Sequence, residues 1–171
     1  MKKLLLLVLI IALTSCTIPE EVSEPVEVEQ VLNLPKALER SIEYDCVYYG
    51  VDRELVYAYI ETVSHNDIRL VSRIDGEVYY GAFQLNSRLI NKYRKDNSPD
   101  IVESAYSNCS IGIQRLKWAL DNNESMQGAL MSCYYTQPIA RKMWVNGVRS
   151  TPLTKTIEKN YKERIEENER K

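Results

Sequence analysis

Along this chain apolar residues recur at helical spacing far more often than in alternation. Residues 36–49 form a first amphipathic segment, ended by Gly50, and Asp52 is placed to cap a second helix over about 53–63. In that helix Leu55, Val56, Tyr59, Ile60 and Val63 make one apolar stripe. Glu61 lies roughly 200° around the helix from Val63, on the side of Arg53, Glu54 and Tyr57. The pattern therefore predicts Val63 inward and Glu61 toward solvent. The run RIDGEVYY at 73–80 breaks the helical period. Asp75-Gly76 is a strong two-residue turn signal between β-favouring residues and predicts a hairpin. A short helix is expected over 86–95 and a loop at 96–100. Helices follow at about 109–121, 126–135 and 138–145, then a loop from Gly147 to Pro152 and a charged helix from about 154. The expected fold is mainly α with one small β-hairpin.

The first 16 residues carry a different pattern. Lys2 and Lys3 precede the apolar run LLLLVLIIAL, too short for a comfortable membrane span and typical of a secretory signal. The run ends in Leu13-Thr14-Ser15-Cys16, which resembles the lipobox of bacterial lipoproteins. That resemblance implies lipidation of Cys16 on its sulfur and a protein anchored to the membrane rather than spanning it. An ordinary signal peptide with a chance cysteine is the plainer alternative. Thr17, rather than an acid, follows the cysteine, which by the same analogy implies a bacterial envelope protein in the outer membrane, facing the periplasm. Residues 17–35 are rich in glutamate, carry three prolines and hold no basic residue, so they read as a solvated acidic tether. Residues 36–171 remain as one domain with a real core.

Net charge of −2 gives no sign of nucleic-acid binding, and the mixed-charge tail reads as a solvated face. Cys46, Cys109 and Cys133 are an odd set, allowing at most one disulfide and one free thiol. His65 is the single histidine and close CxxC spacing is absent, so neither a metal site nor a cofactor is expected. His65 itself reads as an exposed turn residue, with a role beside Ser64 as the alternative.

The order of segments adds a resemblance. GVDRELVYAYI, then Ser64 with Ser72 eight residues on, then YGAFQLN, NCSIGIQRLKWAL, GALMSCYY and PIARKMW resemble the soluble lytic transglycosylase family over about 38–160. Gly50-Val51-Asp52 looks like the family's Gly-Val-Asp helix start. Gly81 to Leu85 looks like its Gly-Leu-Met-Gln strand, with Gln84 as the Gln. Asn108, Gly112 and Leu116 match its Asn-Ile-x-x-Gly helix, and Ala129-Leu130 opens its Ala-Leu-Ala-Ala-Tyr-Asn-Ala-Gly segment. The resemblance implies a lysozyme-like fold and cleavage of the link between N-acetylmuramic acid and N-acetylglucosamine in peptidoglycan. In that chemistry one Glu before a Ser protonates the glycosidic oxygen, then acts as base on the muramyl 6-hydroxyl. Such a carboxyl must sit in a partly apolar cleft that keeps it protonated.

Here the gapless alignment sets Ser64 on the family Ser and Val63 on the catalytic Glu. Valine has no proton to give. Sliding the alignment to use Glu61 loses both Ser64 and Ser72. Cys133-Tyr134 stands where the family has Tyr-Asn, and Ile157 stands at its late Tyr. The positions that hold the fold are kept while those near the sugar are altered, and a fold alone does not confer an activity.

Three readings follow. In the first, the domain engages peptidoglycan glycan strands with cleavage impaired or lost, using Ser64, Gln84, Tyr79, Tyr80 and Tyr134, although each tyrosine serves equally well as a core residue with a wet hydroxyl. In the second, it is an active muramidase or transglycosylase with a relocated acid, Glu77 or Glu61. Glu77 on the hairpin resembles the accessory acids of goose-type lysozymes, but reads equally as an edge-strand polar residue. In the third, the old cleft or the surface of Cys133, Tyr134 and Tyr135 binds a protein partner whose identity the sequence does not reveal. The resemblance also sets Cys109 and Cys133 on neighbouring helices and implies them as the disulfide, leaving Cys46 free.

Overall fold

The computed structural model describes residues 34–74, 76–93, 104–135 and 137–171. The leader, the lipobox Cys16, the tether up to residue 33, Asp75 and the loop at 96–100 lie outside them. Among the described residues there are seven helices and one three-stranded antiparallel sheet. Helices α1 (Lys36–Tyr49) and α2 (Arg53–Ser64) come first. The strands follow as β1 (Val71–Ile74), β2 (Glu77–Tyr80) and β3 (Leu85–Asn86), and then α3 (Ser87–Tyr93). Helices α4 (Ala105–Asp121), α5 (Met126–Tyr134), α6 (Gln137–Val145) and α7 (Pro152–Glu169) complete the chain. No helix among them is long and apolar enough to cross a membrane.

The first two helices are joined as their punctuation dictates. Gly50 takes a left-handed φ of 66°, which only glycine adopts without cost, and its N–H caps α1 on the carbonyls of Cys46 and Val47. Asp52 then accepts from the Glu54 N–H at 2.8 Å and starts α2. The folded domain begins slightly before its expected start. Leu34 is buried in the core, and the Pro35 carbonyl accepts from the N–H groups of Leu38 and Glu39.

Helix α2 lies at the centre. Leu55, Val56, Ala58, Tyr59 and Ile60 are all fully buried, and Tyr59 stacks on Phe83 with centroids 5.1 Å apart. Its other side carries Glu61, which keeps 42% of its side chain in solvent as the pattern predicts but also meets a partner. Helix α7 covers that side, so the charged tail is not merely a solvated face. Arg164 donates to Glu61 at 2.7 Å, Tyr161 donates to Asp52 at 2.9 Å and Asn160 donates to Thr62 at 3.2 Å. Thr154 and Ile157 of α7 are wholly buried. The residues one turn apart on a mostly charged helix supply a narrow apolar and hydroxyl seam, and the ion pairs flank it. Helix α7 starts on a capping box in which the Thr151 and Thr154 side chains satisfy each other's backbone N–H groups.

Helix α5 is closed by a buried cation. Arg115 of α4, only 5% exposed, donates to the carbonyls of Ser132, Cys133 and Tyr135 at 3.0, 2.5 and 2.8 Å. These are the carbonyls that a helix end leaves without partners, at its negative pole.

The expected disulfide is not what the structure holds. Cys46, Cys109 and Cys133 are all free and buried. Cys109 faces α1 and feels the Cys46 thiol, whereas the Cys133 thiol lies against Tyr59 and Arg115. The two residues sit on neighbouring helices but point to different partners. Burial pushes Cys46 and Cys109 up to about 12 and Cys133 to about 11, from an ordinary 9.0. A thiol that ionises at higher pH when folded adds stability that is complete below pH 9 and lost as pH rises toward 11 and 12. The prediction is that all three resist a disulfide reagent at pH 8 and react fully in denaturant, and that the urea midpoint falls from pH 9 to 11. A non-reduced Cys109 to Cys133 peptide in the mass map would contradict it.

Candidate functional site

The candidate cleft is built where α2 runs into the sheet. Ser64, the last residue of α2, is 1% exposed, and its hydroxyl donates to the Ile60 carbonyl at 2.8 Å. Its role is to finish the helix, not to serve as the ligand group expected of it. His65 and Asn66 follow with left-handed φ of 52° and 61°, the His65 N–H closing the helix on the Glu61 carbonyl. His65 is exposed, as its turn position predicts. The chain then turns through Asp67, whose carboxylate accepts from the Arg69 N–H at 2.8 Å, and enters β1.

The hairpin register decides which tyrosines face which way. Ser72 pairs with Tyr79, Ile74 with Glu77, and Tyr79 with Asn86, so Ser72, Glu77, Tyr79 and Asn86 share one face of the sheet. Tyr80 points to the other face and packs against the hydrophobic core, so it is a core residue rather than a ligand group. β3, only two residues long, pairs with β2 and makes the sheet wider than the hairpin expected from the turn signal.

The loop between β2 and β3 is locked from behind. Asn108 of α4 donates to the Tyr80 carbonyl at 2.8 Å and accepts from the Phe83 N–H at 2.9 Å. A Cβ on Gly81 would lie 2.7 Å from the Asn108 amide carbon, and one on Gly112 would lie 2.1 Å from the Phe83 ring. Both glycines are required by this close approach. Gln84 sits in this loop at φ 49°. Its amide donates to the Leu70 and Gly81 carbonyls at 3.1 and 2.8 Å, and its oxygen accepts from Ser72 at 2.5 Å. Gln84 is therefore a staple between loop and hairpin, its hydrogen bonds spent within the fold.

Tyr134 lies at the end of α5. Tyr134 is half-buried on the core and meets Tyr135 edge-to-face with centroids 5.0 Å apart. Burial raises the Tyr134 phenol above its ordinary value, with Tyr135 and Tyr79 adding to the shift. Tyr79 and Tyr134, far apart in sequence, are thus close enough to influence each other, and Tyr134 also contacts Tyr135, its neighbour on the surface expected for a protein partner. Val63, the residue before Ser64, is half-buried against the core.

Neither alternative acid stands free. Glu61 faces α7 and is bound by Arg164 through both its Nε and a terminal nitrogen, at 3.2 and 2.7 Å. Glu77 does lie on the Tyr79 face, but Asn86 donates to one oxygen at 2.9 Å and Arg88 lies 3.4 Å from the other. No group of histidine, cysteine and carboxylate side chains among the described residues could hold a metal ion.

No protein-family model, no curated protein and no solved structure matches the chain.

The lock between α4 and the loop generates a prediction. Gly112→Ala drives a methyl into Phe83, which itself stacks on Tyr59, so it should cost about 3 kcal/mol and lower Tm by roughly 10 °C. Thermal unfolding by circular dichroism reads this, and an unchanged Tm would contradict the close approach.

Proposed function

We propose that this chain is an envelope lipoprotein whose lysozyme-like helical domain grips peptidoglycan glycan strands without cutting them. The observation that carries the reading is Val63, which stands where the resemblance sets the catalytic Glu and packs on the core instead of offering a proton, with Tyr79 near enough to Tyr134 to bear on its phenol. A tyrosine presents an apolar ring with a hydroxyl at its tip, suited to the C–H face and hydroxyl rim of a sugar. Glycosidic cleavage needs a carboxyl that can give up a proton beside the bond. The described carboxylates nearest to the motif are occupied by Arg164 in one case and by Asn86 and Arg88 in the other.

Support for the lysozyme-like reading comes from the residues that carried the resemblance. Gly81, Gln84, Asn108 and Gly112 meet in one loop-to-helix joint, where each has a steric or hydrogen-bonding reason to be what it is. Ile157, at the position of the family's late Tyr, is a fully buried core residue and offers no hydroxyl to a ligand. One observation favours the second reading, an active enzyme using Glu77, namely the register that sets it on the Tyr79 face. Its two donors weigh against that role, because a general acid must have its proton free for the leaving oxygen.

The test is co-sedimentation of the full chain, in mild detergent, with purified sacculi. Wild type should be retained, and Tyr79→Ala and Tyr134→Ala should each weaken retention about tenfold, equivalent to ~1.4 kcal/mol. Wild type left wholly in the supernatant would refute the reading.

A further inference from the structure

A cavity of about 340 Å³ opens away from this cleft, between the end of α4, α5 and α6. Its size is at the lower end of small-ligand sites, roughly 300 to 1,000 Å³, enough for one or two rings rather than a strand. Both tryptophans of the chain line it: Trp118 from α4 and Trp144 from α6, 37% and 40% exposed. Two large aromatic rings brought together at one opening form an apolar patch of the kind that marks a ligand site.

The walls are held in place. Arg149 lies 4.3 Å over the Trp144 ring and donates to the Trp144 carbonyl at 2.5 Å, fixing that side chain from outside. Asn123 donates to the Ala119 carbonyl at 2.7 Å and accepts from Ser132 at 3.2 Å, tying the end of α4 to α5. Asn122 donates to the Trp118 carbonyl at 2.7 Å, with its amide oxygen left over. Arg141 lines the cavity and is exposed, and among the described residues no carboxylate pairs with it. None of the lining residues is acidic.

We infer that this cavity is a second saccharide site, which takes a pyranose ring bearing an acidic substituent. A purely apolar ligand would bury the amides and Arg141 without partners. A bare anion would use Arg141 but leave both indole faces uncovered. A sugar ring lays its C–H face on a tryptophan and turns its hydroxyl or acetamido rim to the Asn122 amide, and a carboxylate on it meets Arg141. The assignment to a wall saccharide rests on the reading that the domain grips glycan strands; the cavity's preference for an acidic ring does not.

Because the only two tryptophans line the cavity, their emission reports its occupancy. The full chain in mild detergent is titrated with the disaccharide of N-acetylglucosamine and N-acetylmuramic acid, and separately with neutral triacetylchitotriose. The expected result is a saturable change with the acidic disaccharide that Trp118→Ala abolishes, with Trp144 remaining as reporter. Arg141→Glu, an exposed substitution that spares the core, should weaken the acidic ligand at least fivefold and the neutral one less than twofold. No saturable change, or one that both variants leave intact, overturns the inference, as does a stronger response to an aromatic dipeptide than to either sugar. If wild type fails to sediment with sacculi but the titration survives with these variant effects, the cleft reading falls and the second site stands.

Discussion

The close contact between α4 and the loop after β2 is the constraint on which the rest depends. Gly112 lets Phe83 sit directly on the helix, and Asn108 occupies the space beside Gly81 while bonding the backbone on both sides of it. Each contact removes a buried polar group or a void that the loop would otherwise leave. With the loop fixed, Gln84 has one place to go and stitches Ser72 to the turn. The register of the hairpin then follows, and with it the side of the sheet on which Tyr79 stands. Tyr59 on α2 closes the circuit by stacking on the same Phe83. A sheet of ten strand residues is marginal by itself and takes its stability from this anchoring.

How legible this was depended on the range of the interaction. Gly50, Asp52 and the 75–76 turn act over a few residues, and they marked their elements correctly from sequence. The start of α4 is four residues earlier than periodicity suggested, because Asn108 is held in helix by its bonds to the sheet rather than by its own propensity. The side of α2 carrying Glu61 looked solvated because polar residues usually are. Only the fold brings Arg164, about a hundred residues later, to pair with it. The cysteines show the same limit: spacing cannot reveal that Cys109 turns to α1 while Cys133 turns to Tyr59. Of the expected ligand groups, Tyr79 bears on the Tyr134 phenol, while Ser64 and Gln84 are hydrogen-bonded within the fold and Tyr80 packs on the core. The cavity of Trp118 and Trp144 had no sequence signature, since three helices contribute to it at unrelated spacings.

On the proposed reading, the domain is a scaffold that keeps its architecture and has changed its chemistry. Burying a carboxyl in an apolar site costs stability, and an enzyme bears that cost to hold a proton where it is needed. Val63 removes the burden at the end of α2 and packs on the core instead. The proposed sugar contacts would rest on the aromatic groups of the sheet and α5, because such contacts need faces and hydroxyls rather than a titrating group.

The most direct measurement of the central claim is digestion of purified sacculi by wild type and by Val63→Glu, with soluble products read by mass spectrometry. The account predicts no release by wild type and release of anhydro-muropeptides by Val63→Glu, because the cleft lacks only its acid. Anhydro-muropeptides released by wild type would contradict it and would show that another carboxylate performs the cleavage.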